Sequence, residues 1–179
     1  MFYLHHKPSL QIVLAMTLLL ATVDTVYAKG SPLSELKTTV NKITAILKTN
    51  TSIEQKKKEI RPIYDKRFDA EALARRTLRH DWKNLNSKQQ DTFAKKYSEF
   101  IFAYYTNSLQ NYNNNAIQFV SSRSNADNTR AIATTKVETS ERMAKVKYFM
   151  EKEGNVWRVT DVEIEGVRMS TTYRSQFRK

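Results

Sequence analysis

Up to about residue 112, the chain repeats its apolar residues every three to four positions, a spacing typical of amphipathic helices. A first helix is predicted over residues 33–47. Ser52, followed three residues later by Gln55, forms a capping box that predicts the start of a second helix. Pro62 is expected to bend or end this second helix, because a proline inside a helix removes one backbone hydrogen bond.

The next two helices also have recognisable N-terminal caps. Asp69 precedes a short helical pattern over residues 70–78, and Ser87 with Gln90 forms a second capping box. This second box begins the longest helical pattern of the chain, which the asparagine-rich stretch 111–115 is expected to end. One broad face of the long helix is aromatic and aliphatic, and it consists of Phe93, Tyr97, Phe100, Ile101, Tyr104, Tyr105, Leu109 and Tyr112.

From residue 116 onward the period changes to two, which predicts β-strands. Turn signals at residues 125–128 and 153–155 separate strand-like segments. The predicted strands are residues 116–122, 130–139, 143–152 and 156–167.

The fourth predicted strand changes phase midway. Trp157 and Val159 alternate onto one face, whereas Val162 and Ile164 fall on the other. This shift predicts a β-bulge or a sharply curved strand near residues 160–161. Helices followed by strands are the order of an α+β domain. We therefore predict a single domain, residues 29–179, in which helices pack on one face of a curved antiparallel sheet of about four strands.

The first 28 residues have the features of a signal peptide. Lys7 provides a positive start, and the apolar run 10–22 is shorter than the roughly 20 residues that span a bilayer. Residues 26–28, Val-Tyr-Ala, place small side chains at the two key positions of a cleavage site. We expect export and cleavage after Ala28, and the alternative is an uncleaved membrane anchor.

The chain is strongly basic, with 30 Lys and Arg residues against 18 Asp and Glu and a formal charge of +12. Lys7 and Asp24 cancel, so cleavage after residue 28 leaves this charge unchanged. In a cytosolic protein the charge would suggest nucleic acid, but export argues against a nucleic-acid partner. Anionic lipid headgroups, with transient contact to a membrane surface, and acidic protein surfaces remain as partners. The alternative is that the charge only keeps the protein soluble.

The residue types exclude several kinds of catalytic or metal site. The chain has no cysteine, and two of its three histidines, His5 and His6, precede the predicted cleavage site. His80 alone cannot form a zinc site built on several imidazoles. The three glycines are isolated from one another, so no phosphate-binding loop is present. We therefore predict no metal, no cofactor and no catalytic residues.

Three carboxylates leave one enzymatic alternative open. Asp161, Glu163 and Glu165 fall on one face of the last predicted strand. In an enzyme, Asp161 or Glu163 would serve as a general base and would have to be buried in a pocket. In the other interpretation, these carboxylates pair with basic residues of the neighbouring strand, such as Lys145 and Lys147.

The aromatic face of the long helix is open to two interpretations. Its rings could pack completely against the sheet, as in a plain interaction module. Alternatively, the helix and the sheet stand apart and line a cavity, since ligand cavities are mostly apolar with a few placed polar groups. Tyrosine suits such a wall, because its ring is apolar and its hydroxyl can reach a polar partner. The sequence pattern alone does not decide between the packed face and the cavity wall.

Six blocks of sequence occur in a characteristic order. Two are C-terminal, WRVTDVEIEGV at residues 157–167 and TYRSQF at 172–177. The other four are residues 67–69, 79–85, 87–93 and 105–112. In this order the blocks resemble the MlaC-type phospholipid-binding proteins, also called the toluene-tolerance auxiliary-component family. The resemblance spans nearly the whole chain after residue 28.

The resemblance implies a soluble, non-enzymatic periplasmic carrier with a cone-shaped fold. Such proteins hold phospholipid acyl chains in a cavity between the helices and a curved sheet. They shuttle lipid between an outer-membrane lipoprotein complex and an inner-membrane ABC transporter with MCE-domain subunits. A shielded container is needed because exposure of a lipid tail to water costs about 0.8 kcal/mol per CH₂. A related branch associated with hopanoid lipids is similar, so hopanoid or another apolar molecule is the alternative cargo.

The helical stripe and the strand alternation supply the candidate cavity wall that this function would need. The residues predicted to bind lipid are Phe93, Tyr97, Phe100, Ile101, Tyr104, Tyr148, Trp157, Val159 and Ile164.

Overall fold

The computed structural model describes residues 30–107 and 116–177. The predicted signal peptide, Leu109, Tyr112 and the asparagine-rich stretch therefore lie outside the described residues. The described helices are α1 (Pro32–Leu47), α2 (Ile53–Arg67), α3 (Ala70–Leu78), α4 (Ser87–Asn107) and α5 (Met169–Phe177), with a 3₁₀ turn at Asp81–Asn84.

The strands of the described region form one antiparallel sheet in the order β1-β2-β3-β4-β5. They are β1 (Ile117–Ser124), β2 (Arg130–Glu138), β3 (Met143–Glu153), β4 (Val156–Ile164) and β5 (Val167–Arg168). The α+β class and the antiparallel sheet are thus confirmed.

The predicted strand 156–167 is divided into two strands. Glu165 and Gly166 have positive φ angles of 50° and 85°, as the central residues of a tight hairpin turn do. The chain therefore reverses after Ile164, and β5 pairs back onto the end of β4. The sheet accordingly has a short fifth strand beside the four long ones.

The predicted caps of α2 and α3 are confirmed. The Ser52 hydroxyl accepts a hydrogen bond from the Gln55 amide at 3.2 Å, and the Asp69 carboxylate accepts one from the Ala72 amide at 2.9 Å. Pro62 was expected to bend or end α2. It does not end the helix, which continues to Arg67.

Burial of one face explains why α2 continues past its proline. Ile60, Tyr64 and Arg67 lie on this face and are buried against the rest of the domain. Their packing offsets the single hydrogen bond that Pro62 cannot donate.

The capping box of α4 begins one residue earlier than predicted. The Asn86 side chain accepts from the Gln89 amide, and the Gln89 side chain accepts from the Asn86 amide, both at 2.9 Å. Gln90 instead donates to the carbonyls of Trp82 and Leu85, at 2.9 and 3.2 Å. Its side chain therefore ties the 3₁₀ turn to the start of α4.

The predicted β-bulge is present in β4. Phe149 of β3 pairs with Asp161 and the next residue, Met150, pairs with Val159, so Thr160 is an extra residue in β4. An extra residue reverses the alternation of the side chains that follow it. Val159 and Val162 consequently both belong to the core on the helix side of the sheet.

The connection between α2 and α3 covers the exposed edge of β4. Phe68 bridges to Val159, and the Asp69 amide donates to the Val159 carbonyl at 2.9 Å. Pairing of this kind protects a strand edge, and it places the Phe68 ring beside the inner face of the sheet.

Candidate functional site

An apolar cavity of about 340 Å³ lies between the helices and the inner face of the sheet. Both the helices and the sheet contribute to the cavity wall. Among residues 30–107 and 116–177, no charged side chain lines the cavity. The lining residues are Ile43, Ile60, Tyr64, Phe68, Ile101, Phe102, Tyr105, Thr106, Val146, Tyr148, Val162, Ile164 and Met169.

The sheet side of the wall depends on the bulge. Across β3 and β4, Val146 pairs with Ile164 and Tyr148 pairs with Val162, so these four side chains share one face. Without the extra residue Thr160, Val162 and Ile164 would alternate onto the opposite face. The phase change seen in the sequence is therefore a feature that builds the cavity.

The last turns of α4 supply four residues of the helix side. Ile101 and Tyr105 are four residues apart and lie on one stripe, with Phe102 and Thr106 beside them. The Thr106 hydroxyl donates to the Phe102 carbonyl at 2.6 Å, so this polar group is satisfied within its own helix.

The remaining polar atoms of the wall are tyrosine hydroxyls. Burial raises the pKa of Tyr64, Tyr105 and Tyr148 above the usual value of 10. All three phenols are therefore neutral at physiological pH. The cavity accordingly offers an uncharged surface with a few hydroxyl groups, an environment that fits an apolar ligand.

A second cavity of about 250 Å³ adjoins the first and shares Tyr105, Ile164 and Met169 with it. Phe100 and Tyr104, which are 45% and 57% exposed, line its outer side. The rings of Phe100 and Tyr104 thus extend the lining toward solvent, together with the polar side chains of Thr172 and Gln176.

The predicted wall residues occupy three kinds of position. Ile101, Tyr148 and Ile164 line the first cavity, and Phe100 and Tyr104 line the second. The other four line neither cavity and pack in or against the core, namely Phe93, Tyr97, Trp157 and Val159.

Hydrogen bonds fix two of these core residues. The Thr77 hydroxyl donates to the Tyr97 hydroxyl at 3.1 Å, and the Trp157 indole donates to the Gly30 carbonyl at 3.2 Å. Burial also raises the pKa of Tyr97 far above its usual range. These side chains support the wall from behind.

The contribution of α2 to the cavity was not predicted from the sequence. Ile60, Tyr64 and Phe68 follow one another at intervals of four and all line the cavity. The rings of Tyr64 and Phe68 stack with centroids 4.5 Å apart. The four-residue spacing was a usable signal, but Pro62, which was expected to bend or end the helix, lies between Ile60 and Tyr64.

The two carboxylates of the enzymatic alternative lie outside the cavity lining. Asp161 is 1% exposed, and it accepts hydrogen bonds from the Ser170 hydroxyl at 2.7 Å and from the amides of Val162 and Ser170 at 3.0 and 3.3 Å. Glu163 pairs with Lys147 at 2.6 Å, as the non-enzymatic interpretation predicted. Both groups are therefore engaged in contacts within the fold.

A more polar cleft of about 510 Å³ lies between α1 and α2. At its base, the nearly buried Arg67 guanidinium pairs with Glu35 at 2.8 Å and donates to the Thr39 hydroxyl at 2.9 Å. It also donates to the Trp157 carbonyl. The charges at the base of this cleft are thus paired with each other and hold α1, α2 and β4 together.

Within residues 30–107 and 116–177, no three His, Cys, Asp or Glu side chains are grouped so that they could hold a metal ion. No helix in the same ranges has the length and apolarity needed to cross a bilayer.

Fold and site together define an α+β protein whose helices and antiparallel sheet enclose an apolar cavity. The model of one protein family, described as MlaC protein, matches residues 37–179. The chain therefore belongs to the MlaC family, and the resemblance found in the sequence is confirmed.

A solved structure supports the same fold. It is a phospholipid-binding protein from Ralstonia solanacearum in complex with a phospholipid, and it superposes with a TM-score of 0.72. The two sequences are 22% identical, and the match covers 82% of this chain and 84% of the other. A comparison with curated proteins gave no significant match.

Proposed function

We propose that this protein is a non-enzymatic carrier that holds phospholipid acyl chains in its apolar cavity. The observation that carries the proposal is the uncharged cavity between the helices and the sheet. Membership of the MlaC family supports it, as does the bound phospholipid of the Ralstonia protein with the same fold.

The energetics favour an acyl chain as the occupant. Each CH₂ group that leaves water for an apolar wall contributes about 0.8 kcal/mol. Six buried CH₂ groups would thus contribute about 5 kcal/mol before the cost of ordering the chain. A charged ligand would find no counter-charge in this wall and would lose its hydration.

The proposed contacts follow the placement of the side chains. Ile101, Tyr148 and Ile164 would contact acyl chains in the first cavity, and Phe100 and Tyr104 would contact them in the second. The remaining four predicted lipid-binding residues, Phe93, Tyr97, Trp157 and Val159, would hold this wall in place.

The proposed setting is the periplasm, after export and cleavage behind Ala28. There the protein would shuttle lipid between an outer-membrane lipoprotein complex and an inner-membrane ABC transporter with MCE-domain subunits. The family match supports this setting, and the N-terminal sequence has the features of an export signal.

The first experiment identifies the cargo. The protein is purified from a periplasmic extract without detergent, extracted with organic solvent and analysed by mass spectrometry. We expect phospholipid in stoichiometric amount. If hopanoid or another apolar molecule is found instead, the protein is still a carrier but has a different cargo. A ligand-free protein that also takes up no lipid from vesicles would refute the carrier function.

A second experiment locates the bound lipid. Ile43→Trp and Ile164→Trp place a larger side chain in opposite walls of the cavity. Both variants should lose most of their lipid, because the added ring occupies the space of the acyl chain. Ile46→Trp is the matched control, since Ile46 lies on the same helix as Ile43 and does not line the cavity. Normal loading in both folded variants would show that lipid binds elsewhere.

A further inference from the structure

The outer face of the sheet carries a basic groove. This face is opposite to the one that lines the apolar cavity, because its residues alternate with the inner ones along β2 and β3. The groove has a volume of about 410 Å³. Four guanidinium groups line it, those of Arg123, Arg130 and Arg168 from the sheet and that of Arg76 from α3. Two core residues, Ala131 and Met150, also contribute to its lining.

The centre of the groove is apolar. Ile132, which is 39% exposed, pairs with Phe149 across β2 and β3. The Arg168 guanidinium covers the Phe149 ring at 3.7 Å from its centroid. An apolar centre with arginines around it is the composition that protein–protein interfaces favour.

The groove carries more positive charge than the nearby carboxylates neutralise. Arg76 pairs with Glu151 at 2.5 Å, and Arg168 lies 3.7 Å from Glu163 and 3.9 Å from Asp161. Arg123 and Arg130 have no carboxylate oxygen within 4.0 Å among residues 30–107 and 116–177. Arg130 lies opposite Glu151 in the pairing of β2 with β3, but that carboxylate is already paired with Arg76. Arg123 and Arg130 are therefore the two guanidinium groups of the groove without an ion pair in this part of the chain.

Two lysines add to the excess of positive charge further along the outer face of the sheet. Lys136 lies directly opposite Lys145 in the pairing of β2 with β3, and like charges in this position destabilise a sheet. Both side chains are exposed, and neither forms an ion pair within the described part of the chain. A bound anionic partner would remove this repulsion.

We propose that the groove docks a carboxylate-rich segment of a partner protein. Arginine presents a planar fork that matches a carboxylate through two parallel hydrogen bonds. The groove is concave, so a protruding acidic segment can reach its floor whereas a flat bilayer surface cannot. Arg168 also covers the Phe149 ring, which removes the aromatic group that would otherwise insert into a membrane. Because the groove and the apolar cavity share no lining residue, partner docking does not obstruct the cargo site.

The test uses a fluorescently labelled synthetic peptide of alternating glutamate and alanine, with a glutamine–alanine peptide as the neutral probe. Fluorescence anisotropy at low salt should show binding of the acidic peptide only. The double substitution Arg123→Gln/Arg130→Gln should weaken binding about tenfold, the effect of losing two exposed ion pairs. Lys88→Gln/Lys96→Gln removes the same charge from exposed positions of α4 and should leave binding unchanged.

Zero-length coupling with a carbodiimide locates the peptide independently. Its carboxylates should become joined to Lys136, Lys145 or Lys147 of the outer face rather than to Lys88 or Lys96. Circular dichroism verifies that each variant is folded, and the single substitution Arg123→Gln replaces the double one if the latter does not fold.

Three results would overturn the proposal. The first is a wild-type protein that does not bind the acidic peptide. The second is an equal loss of binding in the arginine and lysine variants, which would indicate attraction by net charge alone. The third is a loss of binding to phosphatidylglycerol vesicles in the arginine variant while peptide binding persists, which would identify a membrane surface as the partner.

Discussion

Asp161 is the buried carboxylate whose removal tests the structural and enzymatic interpretations at once. It is 1% exposed and accepts three hydrogen bonds, two from backbone amides and one from the Ser170 hydroxyl. Asp161→Ala would leave these three donors buried without an acceptor. An unsatisfied buried donor costs about 1–3 kcal/mol, so we expect a loss of about 3–5 kcal/mol in the free energy of unfolding.

Asp161→Asn is the matched variant. Its carbonyl oxygen can still accept from the amides of Val162 and Ser170, and the Ser170 hydroxyl can rotate to accept from the new amide group. The variant loses the negative charge that faces Arg168 at 3.9 Å. We expect a loss of about 1–2 kcal/mol, well below that of Asp161→Ala.

Urea unfolding followed by the fluorescence of Trp82 and Trp157 measures both losses. The variants must be compared at equal lipid occupancy, because bound ligand stabilises the folded state by mass action. A loss below about 1 kcal/mol in Asp161→Ala would refute the hydrogen-bond reasoning. A folded Asp161→Asn protein that cannot load or transfer lipid would instead show that the carboxylate acts in function.

Two further predictions concern stability. Arg67→Met should lower the free energy of unfolding by about 3 kcal/mol, the lower end for a broken buried ion pair, because the Glu35 side chain, 18% exposed, would lose its cation. Adding Glu35→Met should recover part of this loss in a double-mutant cycle, and equal stability of the single and double variants would contradict the ion-pair account. Burial raises the pKa of Tyr97 and Tyr148 above 10. Above about pH 10, the unfolded chain therefore releases phenol protons that the folded protein retains, and the free energy of unfolding should fall as the pH rises. Tyr97→Phe should flatten this fall between pH 9 and 11 in urea titrations, and an unchanged slope would contradict it.

The parts of the fold that depend on local signals could be predicted from the sequence. Ser52 and Asp69 cap their helices through hydrogen bonds to residues three positions away, so the pattern contains the whole interaction. The bulge at Thr160 was also visible, because an extra residue in a strand shifts the alternation of its own neighbours. The cap of α4 was displaced by one residue, since Asn86 and Ser87 are both good capping residues and only the folded geometry selects between them.

The candidate site was harder to predict from the sequence, because it depends on contacts between residues that are distant in the chain. Tyr64 and Phe68 line the cavity only because α2 continues through Pro62. That continuation is stabilised by the burial of Arg67 against Glu35 of α1 and the Trp157 carbonyl of β4. No property of α2 alone reveals these partners, so the sequence left open whether Pro62 bends or ends the helix.

The aromatic face of α4 shows why pattern alone left two interpretations open, since different parts of the helix satisfy each of them. In its first half, Phe93 and Tyr97 pack edge-on against Phe177 of α5, with centroids 5.6 and 5.7 Å apart. In its second half, Ile101 and Tyr105 face the cavity across from β3 and β4. The residue types are similar in both halves, and the difference lies in what stands opposite them. Whether an aromatic stripe becomes packed core or cavity wall is therefore set by the placement of α5 and by the bulge in β4, which no single helical pattern contains.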